Sequence, residues 1–254
     1  MSVIYEHPIT EHAKLLKKIE VTYLKIENLI KTQNRYFFAN ILFLIIELEA
    51  LVSGQEVRKD IQKILNKKKQ SLVRLTSNPE VNYGLLERTL EELEEASKRL
   101  RYLDVPPGSN LQNDHFIKSI KCKYNLRGPL HNFELPHLNY WAHKDPKIQL
   151  DRINFWLEDL IPIVKTAELI LQISRKSGIK TICTAECGFY QYVNEKQTSL
   201  DLMQIKVEPN LREFPEITGN KHKFLIRFLE EKSTHLKPLQ ATKSITFELF
   251  FITL

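Results

Sequence analysis

Apolar residues recur at helical spacing through the first 110 residues and again from 145 to 180. Beyond residue 181 the period falls to two. A short strand, VIYEH at 3–7, is expected first, stopped by Pro8. A helix then fits residues 11–32, where Leu15, Ile19, Tyr23, Ile26 and Ile30 form one stripe. A second covers about 35–52, with Gly54 as its C-terminal stop. A third starts near Gln55 and carries Val57, Ile61, Leu65 and Leu72 on its apolar side. A fourth, 83–103, sets Leu86, Leu90, Leu93, Ala96, Leu100 and Leu103 opposite the wet side EELEEASKR. DVPPGSN at 104–110 breaks the pattern. A short helical segment follows in DHFIKSIKCKY. The stretch LRGPLHNFELPHLNYWAH is rich in proline and aromatics and shows no helical period. At Asp145, a plausible N-cap before Pro146, a helix returns. Its stripe, Trp156, Leu160, Ile163, Ala167 and Ile170, is apolar enough to require a central or interfacial place.

TICTAECGFYQYV and SLDLMQIKV flank the polar NEKQT and read as a hairpin. KSITFELFFITL reads as a closing strand. Between them, KHKFLIRF alternates: His222, Phe224, Ile226 and Phe228 share one face, and Lys221, Lys223 and Arg227 share the other with Leu225 and Leu229. The pattern predicts an α+β protein, an antiparallel helical domain joined to a mainly antiparallel β-sheet domain. The helical domain takes 11–110 and 145–180; the β domain takes 1–10, 111–144 and 181–254.

Composition narrows the function without naming it. The 254 residues suffice for one large or two modest domains, and the 7 glycines argue against glycine-rich loops. Lys and Arg exceed Asp and Glu by six, which suits an anionic partner of any kind. Cys122, Cys183 and Cys187 are an odd, sparse set suited to a reducing compartment. The N-terminus does not read as a signal peptide, and the run at 36–52 is interrupted by Asn40, Glu47 and Glu49, so a cytoplasmic protein is expected. No GxGxxG, Walker A, HExxH or GxSxG pattern supports an enzyme, and no cofactor is implied. Cys183 and Cys187 read as small buried residues. His131, His137 and His143, spaced by six, read as packed or solvated in preference to a metal site. NKKKQ at 66–70 reads as solvated lysines. A nucleic-acid-binding adaptor is the alternative function the charge allows, although no helix-turn-helix, RNP or zinc module is legible. The basic strand is left with two readings: edge protection by lysine, or a groove for an acidic, partly apolar peptide.

Five stretches carry a resemblance: YEHPITE near the N-terminus, GQEVRKD at 54–60, FELPHLNYWAH at 133–143, GFYQ at 188–191 and FPEITGNKHKFLIRF at 214–228. In this order the chain resembles the ZapD family of bacterial cell-division proteins. The resemblance implies a helical domain that makes a homodimer, and a β domain whose basic surface binds the C-terminal tail of FtsZ, the tubulin-like GTPase of the division ring. Two tails held by one dimer would bundle filaments and stabilise the Z ring at the mid-cell septum. It implies no enzyme activity, no nucleic acid and no membrane. Carried over by motif, Lys221, Lys223 and Arg227 fall in the basic pocket, with lysine at 223 where arginine is common. Arg58, the nearest cation to Gly54, where relatives can carry a basic residue, is counted with them in tail binding. Lys18 and His115 fall at positions implicated in bundling.

Overall fold

The computed structural model describes residues 2–32, 38–77, 79, 81–103, 105–127, 135–194, 199–233 and 237–254. His131, most of NEKQT and the first residues of the expected second helix lie outside them. The chain divides into two compact units, residues 16–170 and residues 1–15 with 171–254. The boundaries fall within the first and last helices.

The 16–170 unit is helical. Around α1 (Glu11–Thr32), α2 (Phe38–Val52) and α3 (Gln55–Val73, continued by a 3-10 turn Arg74–Ser77) come α4 (Tyr83–Arg101), α5 (Ser109–Gln112), α6 (His115–Arg127), α7 (Pro136–Ala142), α8 (Pro146–Leu157) and α9 (Ile161–Lys176). The α1 stripe is buried at Leu16, Ile19, Tyr23 and Ile26, one residue from the expected Leu15 at its start. Gly54 does not stop α2 in a left-handed conformation. It is extended, at φ −63° and ψ 131°, and is the N-cap of α3. α3 and α4 are antiparallel, since Arg58 reaches Arg101, Gln62 reaches Ser97 and Lys69 pairs with Glu94. NKKKQ is therefore not uniformly solvated; Lys68 is itself buried.

Three expectations change here. Residues 115–127 and 136–142 are helical and belong to this unit, so 111–144 does not join the strands. The aromatic FELPHLNYWAH conceals α7, started by Pro136 at its first turn. The helix expected from 145 is two helices, α8 and α9, separated at residues 158–160; Asp145 does cap α8, accepting from Lys147 N at 2.8 Å.

Two charged residues hold the helices. Glu49, 5 % exposed on α2, accepts from Gln112 Nε2 (3.0 Å) and Lys121 Nζ (2.7 Å), joining α2 to α5 and α6. Asp114 caps α6 by accepting from the N–H of Phe116 at 2.8 Å. Its other oxygen receives Arg152 Nη2 (2.7 Å) and Trp156 Nε1 (2.9 Å) from α8. Arg152 in turn lies 4.2 Å from the Trp141 ring centroid, which brings α7 into the same cluster. Among the described residues no single helix is long and apolar enough to cross a membrane.

The other unit packs two antiparallel sheets. β1 (Val3–Pro8), β4 (Leu202–Val207), β8 (Ile245–Ile252) and β2 (Ile179–Ala185) form one, in the order β1-β4-β8-β2. β3 (Phe189–Val193), β6 (Lys223–Glu230) and β5 (Glu213–Gly219) form the other, in the order β3-β6-β5, with β7 (Leu239–Gln240) beside β6 past the end of β3. The core lies between the sheets: Phe224, Ile226 and Phe228 of β6 face Phe247 and Leu249 of β8 and Met203 and Ile205 of β4. Phe228 and Phe247 ring centroids are 5.2 Å apart.

The predicted hairpin across NEKQT does not form. β4 pairs with β1 and β8, whereas β2 turns into β3 at Glu186–Phe189 and the two enter different sheets. Cys187 (φ 49°) and Gly188 (φ 70°) are both left-handed, the requirement of a two-residue I′ turn. A Cβ on Gly188 would lie 2.8 Å from Ala241 O. The turn also separates the two cysteines: Cys183 is buried on β2 and Cys187 is exposed.

Burial pushes the Asp114 carboxyl up, but the hydrogen bonds from Trp156 and Arg152 outweigh it and hold the group below its ordinary value. A depressed folded pKa contributes stability that is complete above the unfolded value, near 3.9, and is lost as pH falls through the folded one. Asp114→Asn is expected to lower unfolding free energy by about 1–3 kcal/mol at pH 7. The difference from the parent protein should shrink as urea titrations are repeated below about pH 4. A pH-independent difference would show that the ionised carboxylate is not what holds α8.

Candidate functional site

β6 sits in the middle of its sheet, so its register with both neighbours settles what shares its outer face. Residues directly opposite on antiparallel strands point the same way. Lys223 is opposite Val193 on β3; Leu225 is opposite Gln191 and Thr218; Arg227 is opposite Phe189 and Glu216; Leu229 is opposite Phe214 and Gln240. Phe224, Ile226 and Phe228 are almost wholly buried on the other face. The outer face therefore alternates cation and leucine along β6 and is bordered by exposed apolar groups, Phe189 at 40 % and Val193 at 49 %.

The strand starts later than its sequence suggests. Lys221 and His222 precede β6 in a turn, and His222 is exposed instead of sharing the buried face of Phe224. Gly219 makes that turn possible: its φ is 141°, and a Cβ there would sit 2.4 Å from Lys223 O. Asn220 Oδ1 then accepts from His222 N (2.9 Å) and Lys223 N (3.2 Å), an Asx turn. Asn194, at the end of β3, donates its side-chain amide to Lys221 O at 3.0 Å. The backbone of Lys221 is thus fixed next to the strand while its side chain is in solvent.

Arg227 Nη2 meets Glu216 Oε2 at 2.6 Å, with both side chains near half exposed at 46 % and 45 %. Sequence reading missed Glu216. It lies in FPEITG, and the tight β5–β6 hairpin places it opposite Arg227, so the signal was the length of the turn. Among the described residues no carboxylate pairs with Lys221 or Lys223. The face is accordingly one half-neutralised arginine and two free lysines, with Leu225, Leu229, Phe189 and Val193 as its apolar part. Such a surface can take carboxylates and apolar side chains together, and offers no nucleophile–base pair.

The other predicted site residues lie in the helical unit. Arg58 on α3 donates from Nη2 to Arg101 O at 2.8 Å. With Lys59, Gln62, Leu103, Pro106 and Pro107 it lines a cavity of about 690 Å³. Lys18 on α1 and His115, the first residue of α6, are both exposed. His137 and His143 belong to α7 and its C-terminal cap: His137 Nε2 accepts from Trp141 Nε1 at 3.1 Å and His143 Nδ1 lies 2.8 Å from Asn139 O. Among the described residues, no group of three or more His, Cys, Asp or Glu side chains is placed to hold a metal ion.

The family model for ZapD, described as a cell division protein, matches residues 18–227. That span takes in most of the helical unit and runs as far as Arg227. Relatives that bear the name cell division protein ZapD include three from different organisms. The protein from Chromobacterium violaceum is 28 % identical over 97 % of this chain and 98 % of its own length. That from Nitrosomonas europaea is 28 % identical over 99 % and 95 %, and that from Aromatoleum aromaticum 27 % over 99 % and 98 %. A family model that spans most of the chain, with relatives aligned nearly end to end, establishes that this chain belongs to the ZapD family of cell division proteins.

Proposed function

We propose that the chain binds the C-terminal tail of FtsZ on the outer face of the β3-β6-β5 sheet and, as a homodimer through its helical unit, crosslinks FtsZ filaments at the mid-cell septum. The role is non-catalytic and cytoplasmic. The observation that carries this reading is the composition of that face: among the described residues Lys221 and Lys223 have no carboxylate partner, Arg227 is paired with Glu216, and leucines are interleaved. Edge protection by lysine does not explain it, because β6 is the central strand of its sheet and has no edge to protect. Interleaved leucines also fit an acidic, partly apolar peptide better than a bare phosphate backbone.

The Arg227–Glu216 pair does not prevent docking. An ion pair this exposed is worth about 0–1 kcal/mol, so a ligand carboxylate can displace Glu216 at small cost. Each tail contact is then individually weak and salt-sensitive. Bivalency offsets this, since a dimer holding one tail raises the effective concentration of its second site. The inward stripe of α8 and α9 is not the dimer surface, since Trp156, Ile163, Val164 and Ala167 are already buried in the protomer. Apolar surface remains on Leu24, Ile148 and Phe155, each about half exposed. Lys18 and His115 are assigned to filament contact from the helical unit.

Co-sedimentation with FtsZ filaments tests the reading directly. Intact filaments should carry the protein into the pellet, filaments without their tail should not, and equal pelleting with both would sink tail binding. Lys223→Glu combined with Arg227→Glu should abolish bundling while circular dichroism is unchanged; persistent bundling would put the site elsewhere.

Glu216→Gln should have the opposite effect. Freeing Arg227 recovers at most the roughly 1 kcal/mol of an exposed pair, equivalent to about a 5-fold gain. Titration of a fluorescent tail peptide should show tighter binding, by up to that factor, and weaker binding would show that Glu216 does not compete with the ligand for Arg227.

A further inference from the structure

The sheet β1-β4-β8-β2 has β1 at one edge and β2 at the other. The two are not equally protected. β1 carries Glu6 and His7 and closes with Pro8, which has no N–H to offer another strand. β2 reads IKTICTA, rich in β-branched residues and without proline, and pairs with β8 in unbroken register, so no bulge twists it aside. Its one charge is withdrawn from the edge. Lys180 Nζ reaches back over the sheet to Glu248 Oε1 on β8, and the other oxygen of Glu248 lies 3.4 Å from Lys206 Nζ on β4. A lysine that could repel an incoming strand is thereby neutralised.

The margin left by that withdrawal is apolar. Ile179 and Ile182 are 69 % and 68 % exposed, the most exposed large apolar side chains of this unit among the described residues. Thr181 and Thr184 beside them are exposed as well. In an antiparallel strand the N–H and C=O of alternate residues point to opposite sides. β8 takes those on one side of β2, and among the described residues no strand takes those on the other. β2 therefore offers a row of main-chain donors and acceptors flanked by isoleucine.

We propose that this edge receives β2 of a second copy of the chain, antiparallel about a two-fold axis through Ile182. The strand suits itself as a partner. Ile182 is its middle residue, so this register alone pairs the whole of Ile179–Ala185. Ile182 meets Ile182, Lys180 meets Thr184 and Thr181 meets Cys183 of the second copy. Directly opposite residues share a face, so the isoleucine pair covers itself and no like charges are opposed. One step past the strand, Gly178 meets Glu186. That carboxylate is exposed and in no ion pair among the described residues. The register sets it on a diagonal from Lys180 of the second copy, within reach of a long side chain. It adds a second carboxylate to the Lys180–Glu248–Lys206 row, which has two cations for one. The axis repeats this contact, so charge as well as shape favours a copy of the same strand. Two four-stranded sheets become one of eight, within ordinary sheet size. The contact does not depend on tail binding and uses a surface other than the helical unit. A protomer engaged through both surfaces builds assemblies larger than a dimer.

The test uses the full-length purified protein with its exposed cysteines replaced, Cys122→Ser and Cys187→Ser, and one new cysteine on β2. Ile182→Cys should oxidise with copper phenanthroline to a disulfide-linked pair, because facing Cα atoms in an antiparallel ladder are about 4.5–5.5 Å apart. Thr184→Cys should not, since its two copies would lie four residues apart along the strands, roughly 13 Å. Crosslinking at 182 and not at 184 supports the proposal. No crosslink at 182, as for a dimer through the helical unit alone or an edge that takes some other protein, overturns it; so does equal yield at both positions, the mark of random collision. In the otherwise unaltered chain, Ile182→Lys faces two cations across the axis. Sedimentation velocity over a range of concentrations should show association through this contact at least tenfold weaker, with circular dichroism unchanged, and association as strong as the parent's overturns the proposal. Should that variant fail to fold, the crosslinking series decides.

Discussion

One strand carries both the core of the β unit and its candidate site. The inner face of β6 places Phe224, Ile226 and Phe228 between the sheets, and a fully buried side chain of this size contributes about 1.5–3 kcal/mol. Its outer face carries Lys223, Leu225, Arg227 and Leu229. Because side chains alternate with period two, slipping β6 by one residue would drive both cations into the core and expose all three apolar anchors. Burying an unpaired charge costs far more than the slip could return. The core therefore fixes which residues the surface shows. Gly219 and the Asn220 turn fix where the pattern begins, and so leave Lys221 beside the strand instead of on it.

The charges of this protein divide by their surroundings into two kinds. Two carboxylates of the helical unit, Glu49 and Asp114, sit in low-dielectric places and are engaged at both oxygens. Glu49 is held by Lys121 and Gln112, and Asp114 by Arg152, Trp156 and the α6 backbone. Removing one partner of such a pair leaves a buried charge uncompensated, so these residues hold helices together and are unavailable to ligands. The charges of the β6 face are solvated and weakly committed. Low cost of rearrangement is what a reversible docking surface needs, and Glu216 would be a modest internal competitor for a carboxylate brought to Arg227.

Helices were legible in the sequence where one face was consistently apolar: α1 appears with the expected bounds, Glu11–Thr32, and the Asp145 cap sits where residue type placed it. Failures came where tertiary context decides. α7 is only seven residues long, too short for its period to emerge from FELPHLNYWAH, and it is held by the Arg152 cluster instead. The separation of α8 from α9 is marked by Pro162 in the first turn of α9, a helix-start signal masked by the continuous apolar stripe on either side. The supposed NEKQT hairpin failed because sequence adjacency of two strands does not imply pairing. The true tight turn used Cys187 and Gly188, and cysteine is not a residue that signals a left-handed position. Alternation on β6 was fully legible; its neutralising partner was not, because Glu216 meets Arg227 only through the register of β5.

The weak commitment of the β6 face bears on how affinity would be divided. Contacts with Lys221, Lys223 and Arg227 would be solvated charge pairs, each worth little and screened within about 8–10 Å at ordinary ionic strength. They would favour encounter and select for acidic ligands. Leu225, Leu229, Phe189 and Val193 would add an apolar component nearly independent of salt. The loss of a bidentate clamp, with lysine at 223 in place of the more directional arginine, would then be felt in the rate of encounter more than in the geometry of the complex.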